Sequence, residues 1–183
     1  MEIDQSLFEY INSDLAHPWL DAVLPYYRDK LTWIPLYLLT LLLLVRQLGW
    51  RSALTLTAGL LVVIGVADQL AASLIKPWVG RLRPCATPAL VEVVRELVPC
   101  GGAYSFPSNH ATNHFAIAVY LCATWVAKPW PRMAWLLWAL SISLAQVYVG
   151  KHYPLDVLGG ALLGSGLALV GATVFNRYFG QSR

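Results

Sequence analysis

Five stretches of this chain are apolar over a length that matches a lipid bilayer. A helix needs about 20 mostly apolar residues to cross the hydrocarbon core. The stretches are 31–45, 52–75, 109–127, 133–149 and 155–175. The first is short, but Trp33 and Tyr37 extend it into the interface, where amphipathic rings settle. The second carries one charge, Asp68. The fifth holds Gly159, Gly160, Gly164 and Gly166, a spacing that suits close helix contact in lipid; simple tolerance of glycine in membrane helices explains it equally well. The pattern predicts an all-α, polytopic transmembrane bundle that forms one domain over residues 1–183. Composition agrees. Hydrophobic types make up 57 % of the 183 residues and charged types only 13 %, against about 25 % charged in a soluble domain. A disordered chain, an acidic tail protein and an ordinary soluble enzyme are thereby excluded. A net charge of +3 is too small to point to nucleic acid.

The first 30 residues read differently. Ile3, Leu7, Phe8 and Ile11 share one helical face, with Glu2, Asp4, Glu9 and Asn12 elsewhere. That predicts an amphipathic helix lying on the membrane surface. It lacks the basic start and unbroken apolar core of a signal peptide.

Charge sets the orientation. Arg46 and Arg51 follow the first span, Lys128 and Arg132 follow the third, and Arg177 and Arg183 end the chain, with no acid among them. Five spans put all six on one side, and basic loops stay in the cytoplasm. The N-terminus, the loop 76–108 and the loop 150–154 are then expected outside. Cys85 and Cys100 both sit in that outer loop. An oxidising exterior permits a disulfide between them, the alternative being two free thiols. Cys122 lies within a span as packing.

Polar chemistry gathers on the same outer face in three segments. Lys76-Pro-Trp-Val-Gly-Arg81-Leu-Arg83-Pro84 puts three cations at a boundary where cations are disfavoured. It reads either as snorkelling to headgroups or as a phosphate clamp. Ser105-Phe-Pro107-Ser108-Asn109-His110-Ala-Thr-Asn113-His114 opens the third span, with Ser108 placed as N-cap and free backbone N–H groups able to bind an anion. Gly150-Lys151-His152-Tyr153-Pro154-Leu155-Asp156 spaces an imidazole and a carboxylate one helical turn apart. That pairing fits either a structural contact or a nucleophilic or general-base histidine.

Together these segments resemble the type 2 phosphatidic acid phosphatase family, integral membrane lipid phosphatases. The family pattern is Lys-x6-Arg-Pro, Pro-Ser-Gly-His and Ser-Arg-x5-His-x3-Asp. It is met here by Lys76…Arg83-Pro84, by Pro107-Ser108-Asn109-His110 and by Ala145-Gln146…His152…Asp156. The resemblance implies His152 as nucleophile, Asp156 as its orienting partner and His110 as general acid and then base. Lys76, Arg83, Ser108 and Asn109 form the phosphate cradle, with no metal and no cofactor. The implied substrate is a membrane lipid phosphate at the periplasmic face of a bacterial inner membrane: undecaprenyl diphosphate, phosphatidylglycerol phosphate, phosphatidic acid or lipid A 1-phosphate. Two residues depart from the pattern. Asn109 stands for the family glycine, and Gln146 for an arginine that binds phosphate. Lys151 and Arg81 are candidates to restore that charge.

Two other readings fit parts of the sequence. His110 and His114, four apart, suit a zinc hydrolase but lack an intervening Glu and a third ligand. A lipid-phosphate binding or transport protein is kept open by Gln146, although such a protein has no need of an acid–base pair. Asp68 within a span is expected to face the protein interior, bonded to a cation, to Gln69 or Ser73, or to a neighbouring helix. His17 is given no role.

Overall fold

The structure, a computed structural model, describes residues 2–179; the expected cytoplasmic Arg183 lies outside them. Among the described residues regular structure is helical, save one antiparallel bridge between Leu82 and Tyr104. Helices α1 (Glu2–Glu9) and α2 (Pro18–Tyr27) lead into α3 (Ile34–Leu48). Next come α4 (Trp50–Gln69) and a π-helical stretch, Leu70–Ile75, that runs into the short α5 (Lys76–Val79). The bundle is completed by α6 (Asn109–Thr124), α7 (Pro129–Tyr148) and α8 (Pro154–Phe179).

Three helical runs are long and apolar enough to cross a membrane: Lys30–Leu48, Trp50–Val79 and Pro154–Phe179. They stand where the first, second and fifth spans are expected, each longer than its apolar core because the flanking polar residues continue the helix. The third and fourth expected spans are present as α6 and α7 but do not meet the same standard. Helix α6 has only 16 residues, and its first two turns carry Asn109, His110, Thr112, Asn113 and His114. Helix α7 starts Pro-Trp-Pro-Arg and carries Ser141, Ser143 and Gln146. Both spend polar residues on the protein interior.

Helix α6 is the centre, packed on α4, α7 and α8. The α8 glycines explain its closest contact. A β-carbon at Gly160 would lie 2.5 Å from the Ser108 carbonyl oxygen, and one at Gly164 would run into the Thr112 carbonyl; at Gly166 it would meet nothing. Close helix packing, rather than tolerance, therefore accounts for Gly160 and Gly164. Around this centre, Leu38, Leu61, Val62, Leu162 and Val170 remain exposed, an apolar girdle that suits lipid.

The N-terminal segment corrects the expectation of a simple amphipathic face. Its buried stripe is Asp4, Phe8 and Asn12, while Ile3 is 85 % exposed and Leu7 is exposed too. The polar members are anchors. The Asn12 amide donates to the carbonyls of Tyr148 (2.7 Å) and Arg95 (3.0 Å), and its oxygen accepts from Arg95 N at 2.9 Å. Phe8 meets the Tyr153 ring edge-on at 5.4 Å. A buried polar group is stable when its partners are complete, as here.

Candidate active site

The turn between α7 and α8 carries His152, which is buried. Pro154 opens α8, the position where a missing N–H costs nothing, and Asp156 follows in the first turn. His152 Nδ1 faces Asp156 Oδ2 at 3.6 Å, an ion-pair separation too long for a direct hydrogen bond. On the other side of the ring, Nε2 lies 3.0 Å from Arg83 Nη1. Burial pushes the imidazole down to about 4, with the Arg83 charge acting in the same direction and Asp156 against it. His152 is therefore neutral at pH 7, and with a proton on Nδ1 its Nε2 lone pair accepts from Arg83.

Asp156 is fully buried and amply held. It accepts from Tyr153 N at 2.8 Å, from Arg81 Nη1 at 2.8 Å and from the Ser105 hydroxyl. Arg81 also donates to Asp4, whose other oxygen accepts from Leu155 N at 2.9 Å, and it stacks over the Tyr153 ring at 4.1 Å. Arg83 instead ties loops together, donating to Gly102 O (2.6 Å) and Lys151 O (3.0 Å). The segment that carries both arginines, 81–83, runs extended beside 103–105. Arg83 N donates to Ala103 O and Ser105 N to Arg81 O; residues two apart in an extended chain share a face, and the partners at each end set them apart, Asp4 and Asp156 for Arg81 and the Gly102 and Lys151 carbonyls for Arg83.

Lys76 Nζ donates to the carbonyls of Ser105 (3.1 Å) and Pro107 (2.6 Å). Ser108 caps α6, and its N–H donates to Asp156 O at 2.9 Å. Asn109 and Asn113, one turn apart on α6, both donate to Asp68 Oδ1, at 2.9 and 2.8 Å. Asp68 is thus held by the neighbouring helix. His110 stacks on His114, ring centroids 6.1 Å apart and nearly parallel, and His114 Nδ1 bonds the His110 carbonyl at 2.7 Å. Cys85 and Cys100 form a disulfide with Cα atoms 5.9 Å apart, closing the loop beside Arg83.

Below His110 a cavity of about 650 Å³ opens between α3, α4 and α6. It is bordered by Tyr37, Leu41, Leu60, Ile64 and Ile117 and reaches Leu121, eleven residues and about 16 Å along α6. A polar cluster of His, Asp, Arg and Lys at a membrane boundary, with an apolar slot beneath it, suits a phosphate on a lipid. Residues 53–179 match the PAP2 superfamily.

The chain belongs to the PAP2 superfamily.

It is 33 % identical to a lipid A 4'-phosphatase of Bacteroides thetaiotaomicron over 89 % of this chain and 72 % of that protein. An undecaprenyl-diphosphatase of Sulfolobus acidocaldarius is 30 % identical over 81 % of this chain and 66 % of its own length. The crystal structure of Aquifex aeolicus LpxE superposes with a TM-score of 0.69 and 26 % identity, over 93 % of this chain and 95 % of that one. The protein is a PAP2 lipid phosphatase, a hydrolase of phosphoric monoesters or diphosphates, and a bacterial membrane protein.

Within this PAP2 site the residues around the departed arginine are distributed unevenly. Gln146 is fully buried, and neither atom of its amide has a hydrogen-bond partner. Its carbonyl accepts from Lys151 N (3.1 Å) and His152 N (3.3 Å), which tightens the turn that holds the imidazole. Lys151 Nζ donates to Pro99 O at 2.7 Å. Burial, then the charges of Arg83 and Arg28, lowers Lys151 to about 8. Both terminal nitrogens of Arg81 are engaged by carboxylates, Asp156 and Asp4, so it braces Asp156. Two participants escape the sequence reading. Asp4 holds Arg81 from the first helix. Arg28, at the C-cap of α2, brings Nη2 to 3.4 Å from His110 Nε2. Arg28 had one available signal: it is a cation on the predicted outer face, as anomalous there as Lys76.

Proposed function

We propose that this phosphatase removes the terminal phosphate of a lipid phosphate or diphosphate through a phosphohistidine intermediate, at the periplasmic face of a bacterial inner membrane. The observation that carries the reading is the setting of His152: a neutral imidazole with Nδ1 toward Asp156 and Nε2 beside Arg83. The lone pair on Nε2 attacks phosphorus, and the bond from phosphorus to the lipid oxygen breaks. His110 gives that oxygen its proton. Water then attacks phosphorus while His110 takes its proton; the new P–O bond forms as the N–P bond breaks, and inorganic phosphate leaves with His152 restored. Charge on the transferring group is spread over its oxygens, so positioned cations and helix N–H groups contribute most. Arg83, Lys76 and the start of α6 at Ser108 and Asn109 supply them. The described helices act as one membrane unit, with the tail in the cavity between α3, α4 and α6.

Among the four substrate classes, lipid A carrying a phosphate comes first, supported by the Bacteroides relative, and undecaprenyl diphosphate second. The outward face rests on the six uncompensated cations at the opposite ends of the spans. The deciding experiment is phosphate release from a panel of the four lipids by the protein in detergent, with His152→Ala as control. Release abolished by that substitution supports the reading; equal release by both proteins sinks it. Binding without release from any lipid would instead favour the binding or transport reading that Gln146 suggests. Labelling of a cysteine placed at residue 91 by a membrane-impermeant reagent in intact cells tests the face.

A further inference from the structure

Arg28 is a half-buried guanidinium that nothing around it explains. Its Nε is buried with no acceptor, and its Nη2 has only the long contact to His110 Nε2 at 3.4 Å. Among the described residues no carboxylate lies within ion-pair distance of it. Its neighbour Asp29 accepts from Leu31 N at 2.8 Å, capping the turn that leads into α3. A buried charge without a partner is costly, and a protein that keeps one uses it or fills it. The other cations of the site are engaged: Lys76 on two carbonyls, Arg81 on two carboxylates, Arg83 on two carbonyls and His152, and Lys151 on the Pro99 carbonyl. Arg28 also lines the upper end of the lipid cavity beside His110. It lies near enough to Arg83 and Lys151 for its charge to lower both.

The second observation is the buried, unbonded amide of Gln146, at the position where the resemblance calls for an arginine on phosphate. One place lacks a cation and another has a cation without an anion. We propose that Arg28 binds the phosphoryl group of the substrate and supplies the positive charge that position 146 lacks. A guanidinium presents a planar fork to two phosphoryl oxygens, and a site dry enough to bury His152 strengthens that contact. The charge then enters from the cavity side, next to His110 and the leaving oxygen, rather than from α7.

The proposal rests on the phosphatase reading above, so its test measures phosphate binding as well as turnover. The full-length protein in detergent is assayed on its best lipid of the panel, and inorganic phosphate is titrated calorimetrically. Arg28→Gln is expected to lower kcat/KM by roughly 10- to 150-fold, the range for one lost charged hydrogen bond, and to weaken phosphate binding by a similar factor. Arg28→Lys keeps part of both, and the double variant Arg28→Gln, Gln146→Arg recovers part of the loss. Unchanged activity in Arg28→Gln overturns the proposal. So does lost activity with unchanged phosphate affinity, which marks Arg28 as structural support. If the wild type binds phosphate but hydrolyses no lipid, the phosphatase mechanism fails while the phosphate affinity of Arg28→Gln still decides the role of Arg28.

Discussion

Helices α6 and α8 meet almost backbone to backbone at Gly160 and Gly164, whereas α3 faces α6 across a cavity of about 650 Å³. In the proposed mechanism the tight pair carries the chemistry. Ser108 N–H, on α6, donates to the carbonyl of Asp156, on α8, so the two motif ends are fixed to each other by main chain. The loose side, the proposed seat of the lipid tail, is built largely from Leu, Ile and Tyr side chains. Reaction geometry tolerates little displacement, while an apolar slot discriminates weakly between chains that differ by a methylene. The bundle divides these two demands between its sides.

That division can be broken most severely at Gly164. Gly164→Val is expected to push α8 off α6, lose all phosphate release and cost about 1–3 kcal/mol of stability, while Gly166→Val, in open space, leaves both alone. Thermal unfolding and phosphate release on the pair check this. Next comes Arg81→Met, which removes the brace between Asp4 and Asp156. At least about a tenfold fall in kcat is expected, with KM for the lipid nearly unchanged, because the cavity is untouched; a rise in KM alone would contradict the assignment.

Acidity probes the same tight side. With His152 held down to about 4 by burial, kcat/KM should stay level as pH falls past the usual imidazole value and drop only near 4, where the ring takes its proton. The same sign governs stability: the contribution of a neutral buried His152 is complete above its ordinary value near 6.5 and is lost as pH falls toward 4. A pH–rate profile with an acid limb near 6.5 would rule this out. On the loose side, Leu60→Trp should raise KM for a long-chain lipid several-fold, about the worth of a filled apolar pocket, and leave a short-chain phosphate ester unaffected. The smallest effect is expected from Lys151→Met: less than about a tenfold change in kcat/KM, since its ammonium already serves the Pro99 carbonyl.

Much of this architecture is legible from residue order. The apolar runs place the helices within a few residues, and the three spaced motifs identify the family. Periodicity fails where polar residues face inward. Asp4 and Asn12 look like the wet side of an amphipathic helix, yet they are its anchors, because their partners come from residues 81, 95, 148 and 155. Arg81 and Arg83 look equivalent until their partners are known: carboxylates from residues 4 and 156 for one, loop carbonyls at 102 and 151 for the other. Arg28 precedes the region that matches the family, so no motif flags it. The partners of Asp68 sit at i and i+4 on another helix, Asn109 and Asn113, a spacing visible only once the two helices are known to touch.

The tie from Asp4 through Arg81 to Asp156 has a practical side. The first helix is not a leader that can be trimmed or replaced freely. Deleting residues ahead of Phe8 removes one of the two carboxylates that hold Arg81 and leaves the other, beside His152, to hold it alone. An affinity tag fused at this end presses on the same joint. Either change edits the reaction centre from more than 140 positions away in the chain, and an inactive preparation of that kind would report on its own engineering.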